Sequence, residues 1–153
     1  MKIILALLFS TIGLKGCSQT TRAEAVKAKE QQSEMQIEYQ AITRGSFYKT
    51  AVDKNTISLQ KTRDESAVEK APCSKSDWQS IKEITEEINL ETIHDLEAPS
   101  TKSHYDGAAS ATISITIGDK TYTSSSFDHG NPPTELQPLV AKILALAETV
   151  ENP

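Results

Sequence analysis

Two short segments are rich in side chains that could do chemistry. His104-Tyr105-Asp106-Gly107 and Phe127-Asp128-His129-Gly130 each combine an aromatic ring, an imidazole, a carboxylate and a glycine. Imidazole nitrogens and carboxylate oxygens are ordinary zinc ligands. The two segments together therefore form a candidate metal site with four possible ligands: His104, Asp106, Asp128 and His129.

Two other interpretations of the same segments stay open. A hydrolytic site would take its nucleophile from Ser124-Ser125-Ser126 and its base from His129. A binding edge would instead use the two aromatic rings with adaptable polar neighbours, which are common binding material. The spacing matches no zinc-ligand signature, and Asp and His also cap turns at strand ends. We therefore predict a binding edge, defined as residues 104–107 and 127–130, with no catalytic residue and no metal.

The strands around these segments should bring them together. Residues 109–117 alternate apolar and polar side chains, which predicts a strand with one buried face. Gly118-Asp119 is typical of a two-residue hairpin turn, and residues 120–127 return as the partner strand. With that turn, facing residues have numbers that sum to about 237, so Ala109 should face Asp128 and Gly107 should face Gly130.

The rest of the chain predicts an α+β domain over residues 37–153. Residues 37–41, 47–52 and 56–60 read as three strands, and residues 61–74 as a loop. Ser76 and Gln79 have the spacing of a capping box, so the first helix should begin there. A last helix should follow Pro133, with an apolar face along residues 136–150. The expected order is β-β-β-α-β-β-α, with about five antiparallel strands and both helices on one face.

Composition excludes several classes of function. The net charge is −5, so the chain lacks the basic footprint of a nucleic-acid-binding protein. The glycines are isolated, and neither a CxxC nor an HExxH motif occurs. We therefore expect no cofactor, and no enzyme activity follows from any motif.

The N-terminus has the organisation of an export signal. Lys2 precedes the apolar run 3–9, which is too short to span a bilayer and suits a signal peptide. Leu14-Lys15-Gly16-Cys17 resembles the lipobox of bacterial lipoproteins, in which the cysteine becomes the lipidated N-terminus; Lys15 departs from that pattern. An ordinary signal peptide cut nearby is the alternative. We expect residues 1–16 to be removed, and loss of two lysines then moves the net charge from −5 to about −7.

The second cysteine and the following segment fit this prediction. If Cys17 carries lipid, Cys73 has no partner within the chain; a Cys17–Cys73 disulfide is the alternative. Residues 17–36 are polar and lack an apolar stripe, so we predict a tether between the lipid and the domain.

The order of elements also resembles a known group of proteins. Arg44-Gly45-Ser46-Phe47 after the first strand, Leu90-Glu91-Thr92-Ile93, and Phe127-Asp128 before Pro133 are similar to features of the emfourin group, bacterial inhibitors of thermolysin-like metalloproteases. The stretches 105–108 and 125–130 resemble those of small bacterial lipoproteins. The resemblance to the emfourin group implies an α+β fold and protein binding, with protease inhibition as one form of it, whereas the resemblance to small lipoproteins implies a fold and an address but no activity.

From these patterns we expect a lipoprotein in the bacterial cell envelope, at the outer membrane or its periplasmic face. Its partners would be the lipid bilayer, through Cys17, and a protein. The alternative is a metal-dependent or hydrolytic envelope enzyme with its site at the binding edge.

Overall fold

The computed structural model describes residues 34–105 and 107–152. Cys17, the signal segment, most of the predicted tether and Asp106 lie outside the described residues. The helices within the described part are all too short or too polar to cross a bilayer.

The described elements comprise seven strands, two α-helices and three short 3₁₀ helices. The strands are β1 Met35–Ile42, β2 Phe47–Val52, β3 Thr56–Gln60, β4 Val68–Pro72, β5 Ser110–Ile117, β6 Lys120–Thr123 and β7 Phe127–Asp128. The helices are α1 Lys75–Glu86 and α2 Gln137–Glu151, and the 3₁₀ helices are Leu90–Asp95, Lys102–Tyr105 and Thr134–Leu136.

The fold is α+β, as the sequence predicts. All paired strands are antiparallel, in the order β4-β3-β2-β1-β5-β6, with β7 pairing the start of β5. Alternate side chains are buried along β1, β3 and β5, so the sheet buries one face. Helix α2 packs over β2, β3 and β4, and α1 packs against α2.

The predicted loop over residues 61–74 is wrong in part, because β4 lies within it. Gln60 pairs with Val68 and Thr56 pairs with Pro72, so β4 forms one edge of the sheet. Glu69 and Lys70 are consecutive exposed charged residues, so β4 lacks the alternation of apolar and polar side chains on which a strand prediction depends. Charges and proline are both common on edge strands, where they discourage pairing with other chains.

The first helix is capped two residues earlier than predicted. Ser74, not Ser76, is the N-cap residue, and its hydroxyl accepts a hydrogen bond from the Asp77 backbone N–H at 3.0 Å. Asp77 also accepts a hydrogen bond from Lys142 Nζ at 2.7 Å. The start of α1 is therefore joined to α2 by an ion pair as well as by apolar packing.

The predicted hairpin is present, but its register changes part of the way along. Ile117 pairs with Lys120 and Ser114 with Thr123, and Gly118 has the positive φ of 59° that this turn requires. Beyond Thr123 the pairs are Ala111 with Phe127 and Ser110 with Asp128. Residues 124–126 thus face only two residues of β5, which is a β-bulge. The predicted pairing of Ala109 with Asp128 is wrong by this one residue.

Ser124 explains where the bulge forms. Its side chain is 6% exposed, and its hydroxyl accepts a hydrogen bond from the Ile113 backbone N–H at 3.1 Å. The Ser124 N–H in turn donates to the Ile113 carbonyl at 2.9 Å. A side-chain oxygen thus replaces one carbonyl of the ladder, and the extra residue places Phe127 on the buried face.

One buried polar group within the described residues has no hydrogen-bond partner. The Thr50 hydroxyl, on the inward face of β2, is fully buried, which costs stability because its water is not replaced. Thr50 pairs with Tyr39 in the neighbouring strand. Tyr39, in contrast, finds partners for its hydroxyl at the candidate site.

Candidate functional site

The binding edge lies at the end of the sheet opposite to the point where the chain enters it. Ile42 pairs with Ser110 at one end, and Met35 pairs with Ile117 at the other. The described loop residues at the first end are 43–46, 100–105, 107–109 and 129–131, and we call this the distal end. The Gly118 N–H donates to the Glu34 carbonyl at 3.2 Å, so Glu34 and the hairpin turn lie at the opposite end.

Asp128 connects the two segments of the binding edge. It is 2% exposed and accepts hydrogen bonds from the Ser100 hydroxyl and from the backbone N–H groups of Lys102, at 3.0 Å, and Ser103, at 2.7 Å. The Ser100 hydroxyl accepts a further hydrogen bond from the Asn131 amide at 2.8 Å. Both carboxylate oxygens are therefore occupied by protein groups.

These hydrogen bonds hold Asp128 ionised. The bond from Ser100 is the largest cause of a pKa well below the ordinary range of an aspartate, and the N–H groups of Ser103 and Lys102 lower the pKa further. Together they outweigh burial, which raises the pKa. The carboxylate serves as a cap from across the fold, since it accepts two orphan N–H groups at the start of the Lys102–Tyr105 3₁₀ helix.

The capped 3₁₀ helix ends in an exposed aromatic ring. Tyr105 is 84% exposed, and among the described residues it is the one large hydrophobic side chain that is exposed. The Gly107 N–H donates to the Lys102 carbonyl at 2.9 Å. A side chain at Gly107 would bring its Cβ to 3.2 Å from that carbonyl oxygen, so glycine keeps the loop tight.

His129 contacts a group of aromatic side chains at the same end. Its Nδ1 lies 2.8 Å from the Tyr39 hydroxyl, and its ring lies 5.7 Å from that of Tyr39 and 5.5 Å from that of Tyr48. Phe127 also packs against Tyr39, with ring centroids 6.1 Å apart. Tyr39 is therefore the centre of this group.

The structure brings the two predicted segments together, with their residues divided between surface and interior. His104, Tyr105, Gly107, His129 and Gly130 are exposed. Phe127 and Asp128 are buried, so these two support the binding edge from within. The two segments lie beside each other, as predicted, although the strand pairing that positions them is shifted by one residue.

Asp106, one of the four candidate metal ligands, lies outside the described residues, and two of the three candidate serines bond to the backbone. No group of three His, Cys, Asp or Glu residues that could hold a metal occurs among the described residues. Ser124 accepts from the backbone of Ile113, and the Ser125 hydroxyl donates to the Leu96 carbonyl. These two serines stabilise the bulge and its neighbouring loop.

Sequence reasoning missed Tyr39 and Ser100 as parts of this end of the fold. Ser100 gives no pattern that could have identified it. Tyr39 gives a weak signal, because the alternation of β1 places it on the buried face, where a tyrosine hydroxyl usually needs a partner. Nothing local indicates that the partner is His129, 90 residues further along the chain.

Comparison with known proteins adds no relative: neither a protein-family model nor a curated protein matches the chain. The geometry of the distal end therefore carries the functional argument that follows.

Proposed function

We propose that the chain is a lipid-anchored envelope protein whose domain binds another protein through the binding edge. The observation that carries this proposal is Tyr105, a large aromatic ring that is 84% exposed on a loop fastened by a buried carboxylate. Tyrosine is enriched among the residues that dominate protein interfaces. A ring on a braced loop loses little conformational freedom on binding, which favours affinity.

The position of the binding edge suits a tethered domain. The chain enters the sheet at Met35, and β1 carries it to Ile42 at the distal end, a distance of roughly 25 Å for a strand of this length. If Cys17 is lipidated, the binding edge lies on the side of the domain away from the tether. A partner protein would then reach the binding edge from the side of the domain that faces away from the bilayer.

Protease inhibition is the form of binding that the resemblance in element order favours. Its support is the pattern of residues and the exposed Tyr105 ring beside backbone groups that Asp128 holds. The alternative of a metal-dependent or hydrolytic enzyme has less support, since Asp128 is occupied by Ser100, Lys102 and Ser103. Metal titration of the purified full chain separates the two proposals, because stoichiometric binding would favour the enzyme.

Replacement of Tyr105 by alanine should weaken partner binding by about tenfold or more, as expected for an interface tyrosine. Titration of the full chain against a thermolysin-type protease, with residual proteolysis as the readout, measures this for the inhibitor proposal. For other protein partners, the amount of partner captured from envelope extracts by each variant measures the loss of binding.

Two variants make that experiment specific. Tyr105→Phe keeps the ring and should retain most of the binding. Lys120→Ala changes an exposed residue at the opposite end of the sheet and should bind as the unchanged chain does. Equal capture and equal inhibition by the chain and by Tyr105→Ala would exclude this residue as the binding determinant.

Replacement of Cys17 by serine should release the chain from the membrane fraction. Serine lacks the thiol to which the lipid is attached, and an acidic domain has no electrostatic attraction to anionic lipid. Labelling of cells with a fatty acid, followed by fractionation, measures both effects. Cys73→Ser is the matched control and should remain labelled; label that persists in Cys17→Ser would refute the anchor.

A further inference from the structure

His129 is held in one orientation by a tyrosine hydroxyl that also binds the next residue. The Tyr39 hydroxyl lies 2.8 Å from His129 Nδ1 and accepts a hydrogen bond from the Gly130 backbone N–H at 3.2 Å. The Asn131 N–H donates to the Asp128 carbonyl at 2.8 Å. The four residues 128–131 therefore form a tight turn that Tyr39 fastens to the core.

The protonation state of this arrangement follows from burial. Tyr39 is completely buried, and burial raises its pKa to about 12, so its hydroxyl keeps its proton at neutral pH. The buried hydroxyl proton needs an acceptor, and His129 Nδ1 is the one within reach among the described residues, since Gly130 is a donor to the same oxygen. His129 is thus the neutral tautomer with its hydrogen on Nε2.

We propose that His129 is a pH-sensitive latch on the distal end. A proton that binds Nδ1 takes the acceptor away from the Tyr39 hydroxyl, and a buried donor without an acceptor is unfavourable. The turn 128–131 should then loosen, and with it the loop that Asp128 braces through Lys102 and Ser103. The latch itself is independent of the proposed function; only its consequence for binding rests on Tyr105 being at the interface.

The charged groups around His129 do not offset this effect. Tyr39 and Tyr48 face the imidazole from β1 and β2, and the Asp128 carboxylate is occupied by other donors. The carboxylates of α2 nearest the cluster, Glu151 and Glu148, act on Tyr48, whose pKa is raised first by burial and then by them. Glu151 is also paired with Lys61.

The sign of the pH dependence follows from the partial burial of the imidazole. The His129 residue is exposed overall, but its ring packs against Tyr39 and Tyr48, and this partial burial lowers its pKa below the ordinary 6.5. The contribution of His129 to stability is therefore fully present above pH 6.5, and it is lost as the pH falls through the lower pKa of the folded state. Acidification should loosen the turn, and return to neutral pH should restore it.

Amide hydrogen exchange of the full chain tests the latch without any partner. The protection factor of the Gly130 amide, corrected for the intrinsic effect of pH, should fall by roughly tenfold between about pH 7.5 and pH 5. In Tyr39→Phe the same amide should have the lower protection at both pH values, because its acceptor is gone. Lys102 and Ser103 should lose protection together with Gly130 at acid pH.

Two histidine variants decide the assignment. His129→Gln cannot be protonated but can still accept from Tyr39, so its Gly130 protection should not depend on pH. His94→Gln changes an exposed histidine outside the binding edge and should behave as the unchanged chain does. Protection that is constant with pH in the unchanged chain, or that falls equally in His129→Gln, would overturn the latch. Because no partner is used, failure of the Tyr105 experiment leaves this result unaffected.

Discussion

Asp128→Asn is expected to lower the midpoint of thermal unfolding by on the order of 10 °C. Asparagine has nearly the shape of aspartate but only one acceptor oxygen. The carboxylate accepts on both oxygens, from Ser103 on Oδ1 and from Ser100 and Lys102 on Oδ2. In the variant an NH₂ group must face some of these donors, which are then left unpaired in a part-buried position.

Circular dichroism during heating measures the midpoint, and Asp119→Asn is the matched control. Asp119 is exposed in the hairpin turn at the opposite end, where asparagine is equally suited to the backbone, so the control should unfold within about 2 °C of the unchanged chain. Amide exchange should also become faster at Lys102 and Ser103 in Asp128→Asn. An unchanged midpoint would mean that the carboxylate does not brace the loop.

The dependence of stability on acid pH tests a second property of the Asp128 carboxylate. Since its pKa is lowered in the folded state, its contribution to stability is fully present above the ordinary value of 3.8 and is lost as the pH falls toward the lower folded pKa. The unchanged chain should therefore lose stability in this acid range. Asp128→Asn should lack that part of the loss, because it has no carboxylate to protonate.

The sequence predicts the centre of this fold better than its edges. The ranges for β2 and β3 agree with the structure, and β1 and β5 differ by one or two residues at their ends. These strands bury one face, so burial forces their side chains to alternate. Strand β4 has one partner strand and exposed charges, and such an edge does not require the alternation.

The bulge marks a second limit of sequence reasoning. A hairpin turn fixes the register only while backbone groups pair with backbone groups, and Ser124 substitutes its hydroxyl for a carbonyl. Many serines in strands face solvent, so the type of residue alone does not predict this exchange. The register error that results is small in distance, yet it decides which face of the sheet Phe127 occupies.

The sequence predicts which segments of the candidate site lie close together, but it does not predict what each residue does there. The chain alone indicates that residues 104–107 and 127–130 meet. Which members face inward depends on the bulge, on Ser100 and on Tyr39, and all three are tertiary features. Asp128 and His129 looked like a pair of possible ligands, whereas one supports the loop of Tyr105 and the other binds Tyr39.

Phe127→Ala is expected to reduce the free energy of unfolding by about 3–5 kcal/mol, the usual cost of removing a buried phenylalanine ring. Phe127 is 1% exposed, and the two residues nearest to it in its row across the sheet are alanines. Ala111 pairs with Phe127, and Ala41 pairs with Ala111. Two alanines cannot move to fill the cavity, so the cost should lie in the upper part of this range.

Denaturant unfolding measures this loss, and the chain offers a matched control in another phenylalanine. Phe47 is only half-buried, with the guanidinium of Arg63 5.7 Å from its ring, so Phe47→Ala should cost about 1 kcal/mol. A Phe127→Ala variant no less stable than Phe47→Ala would contradict the inward position that the bulge gives to Phe127. A loss of stability that is larger for Phe127→Ala than for Phe47→Ala would show that the bulge contributes to core packing. The extra residue of the bulge turns the Phe127 ring from the open face of the sheet onto Tyr39.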